Sequence, residues 1–140
     1  MEILVDSNVI LDVVTEDAKW FEWSSDTLAH YANDNILVVN PIIYAEISIR
    51  FQNIEDLEEA LSPEYYRRDQ LPWEAAFLAG KCFVEYRRKG GKRDSPPPDF
   101  YIGAHAAVKE MFLLTRDDTR YRTYFPMLRL ITPEIKTITK

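Results

Sequence analysis

The stretch DFYIGAHAAVKEMFLLTRDDTRYRTYFP, residues 99–126, carries the strongest indication of the fold. Residues 99–109 have the pattern of a helix, and the apolar run at residues 111–115 predicts a buried strand. Asp117 follows that strand almost at once. A helix, a buried strand and then an acid are typical of an α/β protein, in which polar side chains collect at the carboxyl ends of parallel strands.

The rest of the chain alternates short apolar runs with helical patterns. Three further runs predict buried strands, at Glu2–Val5, Ile36–Val39 and residues 128–132. Continuous apolar strands separated by helices indicate a parallel sheet that is covered on both faces. We therefore expect an α/β fold with a short parallel β-sheet flanked by α-helices on both faces.

The predicted helices lie between these strands. Their spans are a first turn at residues 8–14, then residues 20–33, 41–51, 54–61 and 72–89, before the helix at 99–109. Pro41 and Pro72 suit the first turn of a helix, and Gly90 and Gly91 end the longest one. Residues 92–98, with three consecutive prolines, predict a loop.

Length and composition indicate one intracellular domain. The 140 residues, 46% of them hydrophobic, suffice for one packed core, so we expect a single domain over residues 1–140. The single cysteine, Cys82, lies in an apolar helical stretch without a disulfide partner, which indicates a reducing, cytoplasmic compartment. The N-terminus lacks the features of a signal peptide, and no apolar run is long enough to span a membrane.

The net charge of −6 disfavours a protein that binds nucleic acid through a broad basic face. Carboxylates that hold a divalent cation contribute negative charge, however, and the bound metal partly cancels it. Local basic runs remain as candidate nucleic-acid contacts, among them Arg116, Arg120 and Arg122, although charge runs on helices are more often solvated faces.

Four carboxylates occupy positions from which they could converge. Asp6 and Asp117 follow two of the predicted strands, and the carboxyl ends of parallel strands meet at one edge of a sheet. Glu46 lies on the apolar face of its helix, where an unpaired charge is costly, and Asp99 begins a helix. Each has an ordinary alternative: a helix cap for Asp6 and Asp99, a turn for Asp117, and solvent exposure for Glu46.

Together, these acids suit a hard divalent cation. Mg²⁺ and Mn²⁺ prefer oxygen ligands, and such a site could position a water for attack on a phosphodiester and neutralise the charge that develops on the phosphate. Like charges held close together also repel, so we expect folding to raise the pKa of at least one of the acids.

Several motifs together resemble the PIN-domain family in its VapC-type toxin branch. They are Asp6-Ser7-Asn8 after an apolar strand, Glu46 within YAEI, DFYIGAHAA from Asp99, and LLTRDDTRYRTYFP. The resemblance spans nearly the whole chain. It implies an Mg²⁺- or Mn²⁺-dependent endoribonuclease that cleaves single-stranded RNA, acts as the toxin of a toxin–antitoxin pair, and is blocked by a separately encoded antitoxin protein. We also expect a homodimer.

The resemblance further assigns roles to individual residues. It makes four acids the catalytic metal ligands: Asp6, Glu46, Asp99 and Asp117. Asn8 and Thr115 would be their polar neighbours, and Arg116, Arg120 and Arg122 the candidate RNA contacts. Asp118, next in the chain, leaves the identity of the fourth acid open.

Other functions make different demands on the sequence. A haloacid-dehalogenase-like phosphatase would carry a second Asp two residues after the first and then Thr, where this chain has Asn8 and Ile10. A response-regulator receiver would need a strand-end lysine near the acids, and none is found. A catalytically inactive PIN-like scaffold that acts only through protein contacts is the remaining alternative.

Some prominent residues are not expected to act chemically. His105 lies six residues from Asp99 on another helix face, which indicates a structural role, and His30 is a weaker candidate still. Gly103 is expected to let its helix pack closely on the sheet. Core or partner packing is the preferred role for most of the aromatic residues that could stack on bases: Trp20, Trp23, Tyr65, Tyr66 and Trp73.

Overall fold

The computed structural model describes residues 1–133. Within this range the elements are β1 (Glu2–Val5), α1 (Ser7–Val14), α2 (Phe21–Ala32), β2 (Ile36–Val39), α3 (Pro41–Ser48), α4 (Ile54–Ala60), β3 (Tyr66–Arg68), α5 (Trp73–Arg88), α6 (Pro98–Val108), β4 (Phe112–Leu114), α7 (Thr119–Tyr124) and β5 (Leu130–Ile131). The last seven residues of the predicted domain lie outside the described range.

All five strands are parallel and lie in the order β3-β2-β1-β4-β5, which confirms the predicted α/β fold. Ile3, Leu4 and Val5 of the central strand are each 0% exposed. Because successive strand residues point to opposite faces, their burial means that both faces of the sheet are covered.

The order of the strands creates a crevice. From β1 the chain runs outward to β2 and β3, and then returns to the other side of β1 to form β4 and β5. Ligands of open α/β sheets bind at the carboxyl ends of the strands where the direction of winding reverses, which here is between β1 and β4. The N–H of Asp6 donates to the carbonyl of Leu114 over 2.9 Å, so Asp6 lies at this point.

Two elements differ from the sequence prediction. The edge strand β3 was not expected, because only Tyr66 of its three residues is buried while Arg67 and Arg68 are exposed. Helix α7 was not expected either, since its six residues contain no apolar repeat. The charged residues of β3 suit the edge of a sheet. In both β3 and α7, however, the polar residues leave no apolar periodicity from which the element could be predicted.

The boundaries of the other elements shift by a few residues. The predicted turn at residues 8–14 is a full helix, α1, and the helix predicted over residues 41–51 ends at Ser48. Helix α5 ends at Arg88, and Gly90 has a φ of 91°, a left-handed conformation that glycine adopts without strain. No helix in the described range has the length and apolar character needed to cross a bilayer.

Candidate acidic active site

A cleft of about 280 Å³ opens at the carboxyl ends of β1 and β4. It is lined by all four acids predicted from the sequence: Asp6, Glu46, Asp99 and Asp117. They come from the end of β1, from α3, from the first turn of α6 and from the segment after β4, so the fold joins residues more than 100 positions apart.

Asp6 is the most buried of the four, at 6% exposure. One carboxylate oxygen accepts from the N–H of Ser7 at 2.8 Å, so the residue also caps α1. The other accepts from the hydroxyls of Thr115 and Tyr121, both at 2.8 Å. Burial raises the pKa of Asp6 to about 6, against the effect of these hydrogen bonds and with a smaller contribution from the charge of Glu46.

Glu46 lies partly buried on α3, as its position on an apolar helix face predicts. Its Oε1 accepts a hydrogen bond from the hydroxyl of Ser7 at 2.7 Å. Burial raises the pKa of Glu46, the hydrogen bond from Ser7 opposes this, and the charge of Asp99 raises it further. Ser7 therefore connects two acids, through its N–H to Asp6 and through its hydroxyl to Glu46.

Asp99 does not cap its helix. The cap position of α6 is Pro97, and the structure shows no side-chain capping bond there. The carboxylate of Asp99 instead pairs with the guanidinium of Arg120, at 3.2 and 3.4 Å from its two oxygens. The guanidinium of Arg120 also lies 5.6 Å from the ring centres of both Tyr86 and Phe100, which fix its position.

The structure distinguishes Asp117 from its neighbour. Asp117 lines the cleft, and its N–H donates to the hydroxyl of Thr115 at 3.2 Å. Asp118 instead forms a surface ion pair with Arg122 and does not line the cleft. The geometry therefore favours Asp117 as the fourth acid.

Asn8 and Thr115 are polar neighbours of the acids, as the resemblance implies. The amide of Asn8 donates to the hydroxyl of Thr115 at 3.2 Å, and its oxygen accepts from the N–H of Arg116 at 3.3 Å. Thr115 is itself 0% exposed. This network ties the start of α1 to the end of β4, on either side of the cleft.

The three candidate RNA contacts lie in different environments. Arg120 lines the cleft. Arg116 pairs at 2.7 Å with Asp12, whose side chain is only 3% exposed, and Arg122 pairs with Asp118. Arg120 therefore lies at the candidate site, where it pairs with Asp99, whereas the carboxylate partners of Arg116 and Arg122 do not line the cleft.

Sequence reasoning gave no site role to three polar residues that line the cleft: Ser7, Arg93 and Tyr121. Ser7 and Tyr121 belong to the quoted motifs, but only their contacts reveal their roles. His105 is fully buried, with its Nδ1 2.9 Å from the amide nitrogen of Asn40, and does not line the cleft, which agrees with a structural role.

The donor set of the cleft fits a hydrated hard cation. As arranged, no group of three or more His, Cys, Asp or Glu side chains in residues 1–133 is positioned to hold a metal ion together. Mg²⁺, however, is usually bound through one or two carboxylates and keeps several waters. Four carboxylates around a space of about 280 Å³ can meet that demand.

Comparisons with solved structures show the fold. VapBC2 from Rickettsia felis, bound to a DNA fragment from its promoter, is 17% identical with a TM-score of 0.73, over 96% of this chain and 100% of the other. VapBC-1 from nontypeable Haemophilus influenzae is 20% identical with a TM-score of 0.70, over 94% and 98%. A toxin–antitoxin complex from Klebsiella pneumoniae is 16% identical with a TM-score of 0.67, over 94% and 98%.

A search of curated protein sequences found no match. The family model of the PIN domain, in contrast, matches residues 3–126, nearly the whole described range and every acid of the cleft. The chain belongs to the PIN domain family.

Proposed function

We propose that this chain is an Mg²⁺- or Mn²⁺-dependent endoribonuclease that cleaves single-stranded RNA and acts as the toxin of a toxin–antitoxin pair in the cytoplasm. The observation that carries the proposal is the convergence of Asp6, Glu46, Asp99 and Asp117 on one cleft of a PIN fold. Asp6, Glu46 and Asp99 are buried or partly buried and Asp117 is exposed, and a divalent cation would offset the negative charge that the pairing of Arg120 with Asp99 leaves in the cleft.

Each acid has a chemical role in this proposal. The metal ligands would be Asp6, Glu46, Asp99 and Asp117. A bound Mg²⁺ or Mn²⁺ supplies a water of lowered pKa and offsets the charge that develops on the phosphate. Thr115 and Tyr121 hold the carboxylate of Asp6 at a fixed orientation, and Ser7 does the same for Glu46, so the acids are positioned before substrate arrives.

Arg120 would contact the substrate phosphate. Its guanidinium is held against two aromatic rings at the edge of the cleft, and it is partly exposed. Arg93, on the proline-rich loop, also lines the cleft, and its carbonyl is anchored by Arg87 at 2.7 Å. Two arginines at the rim of the cleft suit the phosphate backbone of a single RNA strand. The net charge of −6 disfavours a broad contact with a duplex.

The same cleft would be the target of the antitoxin. An acidic pocket attracts arginine and lysine side chains as well as metals, and the pairing of Arg120 with Asp99 shows that a guanidinium can reach these carboxylates. We propose that the antitoxin brings such a cation to the cleft and that its binding weakens with salt. Recovery from the native host of a partner bound far from Glu46 and Asp99 would contradict this.

A catalytically inactive PIN scaffold remains the alternative, and one observation favours it. Arg120 already neutralises Asp99, so part of the acidic charge is offset within the chain. The phosphatase alternative is removed by membership of the PIN family.

The test is cleavage of end-labelled single-stranded RNA by the purified chain. We expect cleavage with Mg²⁺ or Mn²⁺, none in excess chelator, and a loss of most activity in Asp6→Asn without unfolding. Asp34→Asn, which changes an exposed acid outside the cleft, is the matched control. Full activity in chelator would refute metal dependence, and an intact fold that binds neither metal would support the inactive scaffold.

A further inference from the structure

A second hollow opens at the same edge of the sheet as the acidic cleft. It has a volume of about 270 Å³ and lies at the carboxyl ends of β2 and β3, against the first turn of α3. The residues that line it include Asn40, Pro41, Tyr44, Arg68, Asp69 and Gln70. We name it the β3 hollow. It shares no lining residue with the cleft, so it is a separate site.

Two flat groups form a platform in the β3 hollow. The guanidinium of Arg68 lies over the ring of Tyr44, 5.4 Å from the ring centre. One carboxylate oxygen of Glu58 accepts from the hydroxyl of Tyr44 at 2.7 Å and pairs with Arg68 at 3.1 Å. The guanidinium also donates to the carbonyl of Leu61 at 3.0 Å. Because both groups are held in place by these bonds, the platform is formed before any ligand arrives.

Two polar side chains in the hollow can bond to a ligand. The carboxylate of Asp69 is held by the guanidinium of Arg67 at 2.8 and 2.9 Å. Each carboxylate oxygen has two lone pairs, so both can accept a further hydrogen bond. Gln70 is exposed, and its amide offers two donors and an acceptor. The hollow therefore combines a flat platform with groups that can read the edge of a flat ligand.

This combination suits an unpaired nucleobase. Bases stack on aromatic rings and on guanidinium planes, and they form hydrogen bonds through their edges. The hollow is smaller than the pockets of about 300–1,000 Å³ that enclose drug-sized ligands, which fits a single flat ring system. Because a carboxylate only accepts, Asp69 favours the amino-bearing bases adenine, cytosine and guanine over uracil, which presents two carbonyl oxygens.

The hollow lies within reach of an RNA strand in the cleft. The cleft is at the ends of β1 and β4, the hollow is at the ends of β2 and β3, and these strands are neighbours in the sheet. With adjacent strands about 4.8 Å apart, the two sites are about 10 Å apart along the sheet edge. That span corresponds to about three nucleotides stacked at about 3.4 Å each, and to fewer in an extended strand.

We propose that the β3 hollow is a base-binding subsite for the single-stranded RNA that is cut in the acidic cleft. A base within about three nucleotides of the scissile phosphate stacks on the platform, and its edge bonds to Asp69 and Gln70. The proposal rests on the proposed nuclease function for its substrate. It gives cleavage a sequence preference, because contacts to phosphate alone carry no sequence information.

Nuclear magnetic resonance of the isotope-labelled full-length chain in excess chelator tests the subsite without cleavage. A short single-stranded RNA should shift the amide signals of Asp69 and Gln70, whereas the matched abasic strand, which carries the same charge, should not. Tyr44→Leu should weaken RNA binding at least about fivefold through the loss of stacking, and Tyr44→Phe should not. Both variants lose the hydrogen bond to Glu58, so a difference between them belongs to the ring.

Sequencing of the products from a random RNA pool cut with Mn²⁺ gives an independent reading. The wild type should prefer an amino-bearing base at one fixed position, within about three nucleotides of the cut. Gln70→Ala changes an exposed side chain and should weaken that preference. Gln52→Ala, at an exposed glutamine that does not line the hollow, is the matched control and should keep it.

The two measurements separate the subsite from the nuclease. Base-dependent shifts in the hollow without any cleavage would support the subsite and contradict the nuclease proposal. Cleavage without shifts in the hollow would overturn the subsite alone, as would a preference that Tyr44→Leu and Gln70→Ala leave unchanged. A free nucleoside monophosphate that binds the hollow more tightly than the RNA would also overturn it, since the ligand would then be a small molecule rather than the substrate strand.

Discussion

Asp6 is the centre of the hydrogen-bond network in the cleft. It accepts hydrogen bonds from Ser7, Thr115 and Tyr121, which come from α1, the end of β4 and α7. The sequence predicts that crowding of like charges raises the pKa of an acid in this cleft. The pKa of Asp6 is raised in the folded protein. Burial of its carboxylate is the largest cause, however, and repulsion from the charge of Glu46 contributes less.

The raised pKa of Asp6 makes the stability of the metal-free protein depend on pH. Folding raises the pKa from 3.8 to about 6, so the folded state binds the proton more tightly than the unfolded state does. The free energy of unfolding should therefore rise as pH falls through about 6, and the gain should be complete below about 4. We expect the charged form of Asp6 to cost roughly 3 kcal/mol of folding free energy at neutral pH, because a difference of one pKa unit corresponds to about 1.4 kcal/mol.

Unfolding in chelator at about pH 7.5 and about pH 5, for wild type and Asp6→Asn, measures this cost. The wild type should gain stability relative to the variant as pH falls, because the asparagine amide of the variant cannot take up a proton. An identical pH dependence in the two proteins would contradict the raised pKa.

Asp117 and Asp118 are adjacent in the chain but differ in role. Only Asp117 lines the cleft, while Asp118 pairs with Arg122 on the surface. We expect Asp117→Asn to lower the rate of RNA cleavage by at least about a hundredfold, because losing a proposed metal ligand should cost no less than losing an outer contact that only orients one. Asp118→Asn should keep a nearly normal rate. The opposite order of rates would make Asp118 the fourth acid.

At the scale of elements, strands that consist of apolar runs could be predicted from the sequence, whereas polar elements could not. The strands β1, β2 and β4 lie in apolar runs, and all their residues after the first are buried, so they could be predicted from the sequence. The edge strand β3 and the helix α7 could not, because their polar residues carry no periodic signal.

The candidate site also has a part that the sequence predicts and a part that it does not. Its four acids follow strands or lie on helices that could be predicted, so their convergence could be anticipated from parallel topology. The hydrogen bond from Tyr121 to Asp6 joins residues 115 positions apart, and the ion pair of Arg116 with Asp12 joins residues 104 apart. Contacts of this kind depend on how α1 and α7 pack, which composition and periodicity do not encode.

Gly103 keeps α6 close to the aromatic rings of α7 and the residue that follows it, whereas the sequence predicted close packing on the sheet. A Cβ there would lie 2.7 Å from the ring of Phe125 and 3.0 Å from that of Tyr121. Gly103→Ala should therefore cost about 1–3 kcal/mol through overpacking and should slow cleavage, because Tyr121 moves relative to Asp6.

Gly80→Ala is the matched control, since it makes the same substitution inside a helix but enters open space. It should stabilise the chain by up to about 1 kcal/mol. Chemical unfolding of both variants at one protein concentration gives the comparison. Equal and favourable effects would show that the contact at Gly103 imposes no strain.

Arg116 holds α1 to the segment after β4. Its partner Asp12 is 2% exposed and also accepts a hydrogen bond from the hydroxyl of Ser24 at 2.7 Å. Arg116→Ala leaves this buried carboxylate without its cation and should lower the free energy of unfolding by about 3 kcal/mol.

Arg122→Ala removes an exposed ion pair instead, and should cost less than about 1 kcal/mol. Unfolding experiments on the two variants separate a structural arginine from a surface one. If Arg116→Ala kept full stability but bound RNA less tightly, Arg116 would be an RNA contact, as the sequence suggested.

At the scale of the whole molecule, reversal of winding at β1 turns four separate elements towards one cleft. The same topology brings Arg120 onto Asp99, so the fold carries its own partial counterion there. Removing the charge of Asp99 should therefore give little gain in stability without metal, because Asp99 is already paired. The substitution of Asp99 should instead change stability when a divalent cation is present and competes with Arg120 for the carboxylate.

The most direct test of the central claim, that this cleft binds a divalent cation, is a thermal melt across an Mn²⁺ titration. A cation that binds the native state should raise the melting temperature with the logarithm of its concentration above the dissociation constant. We predict this rise for wild type and for the control Asp34→Asn, and a clearly smaller rise for Asp99→Asn. An equal rise in all three proteins would remove Asp99 from the metal site, and no rise in the wild type would contradict the account.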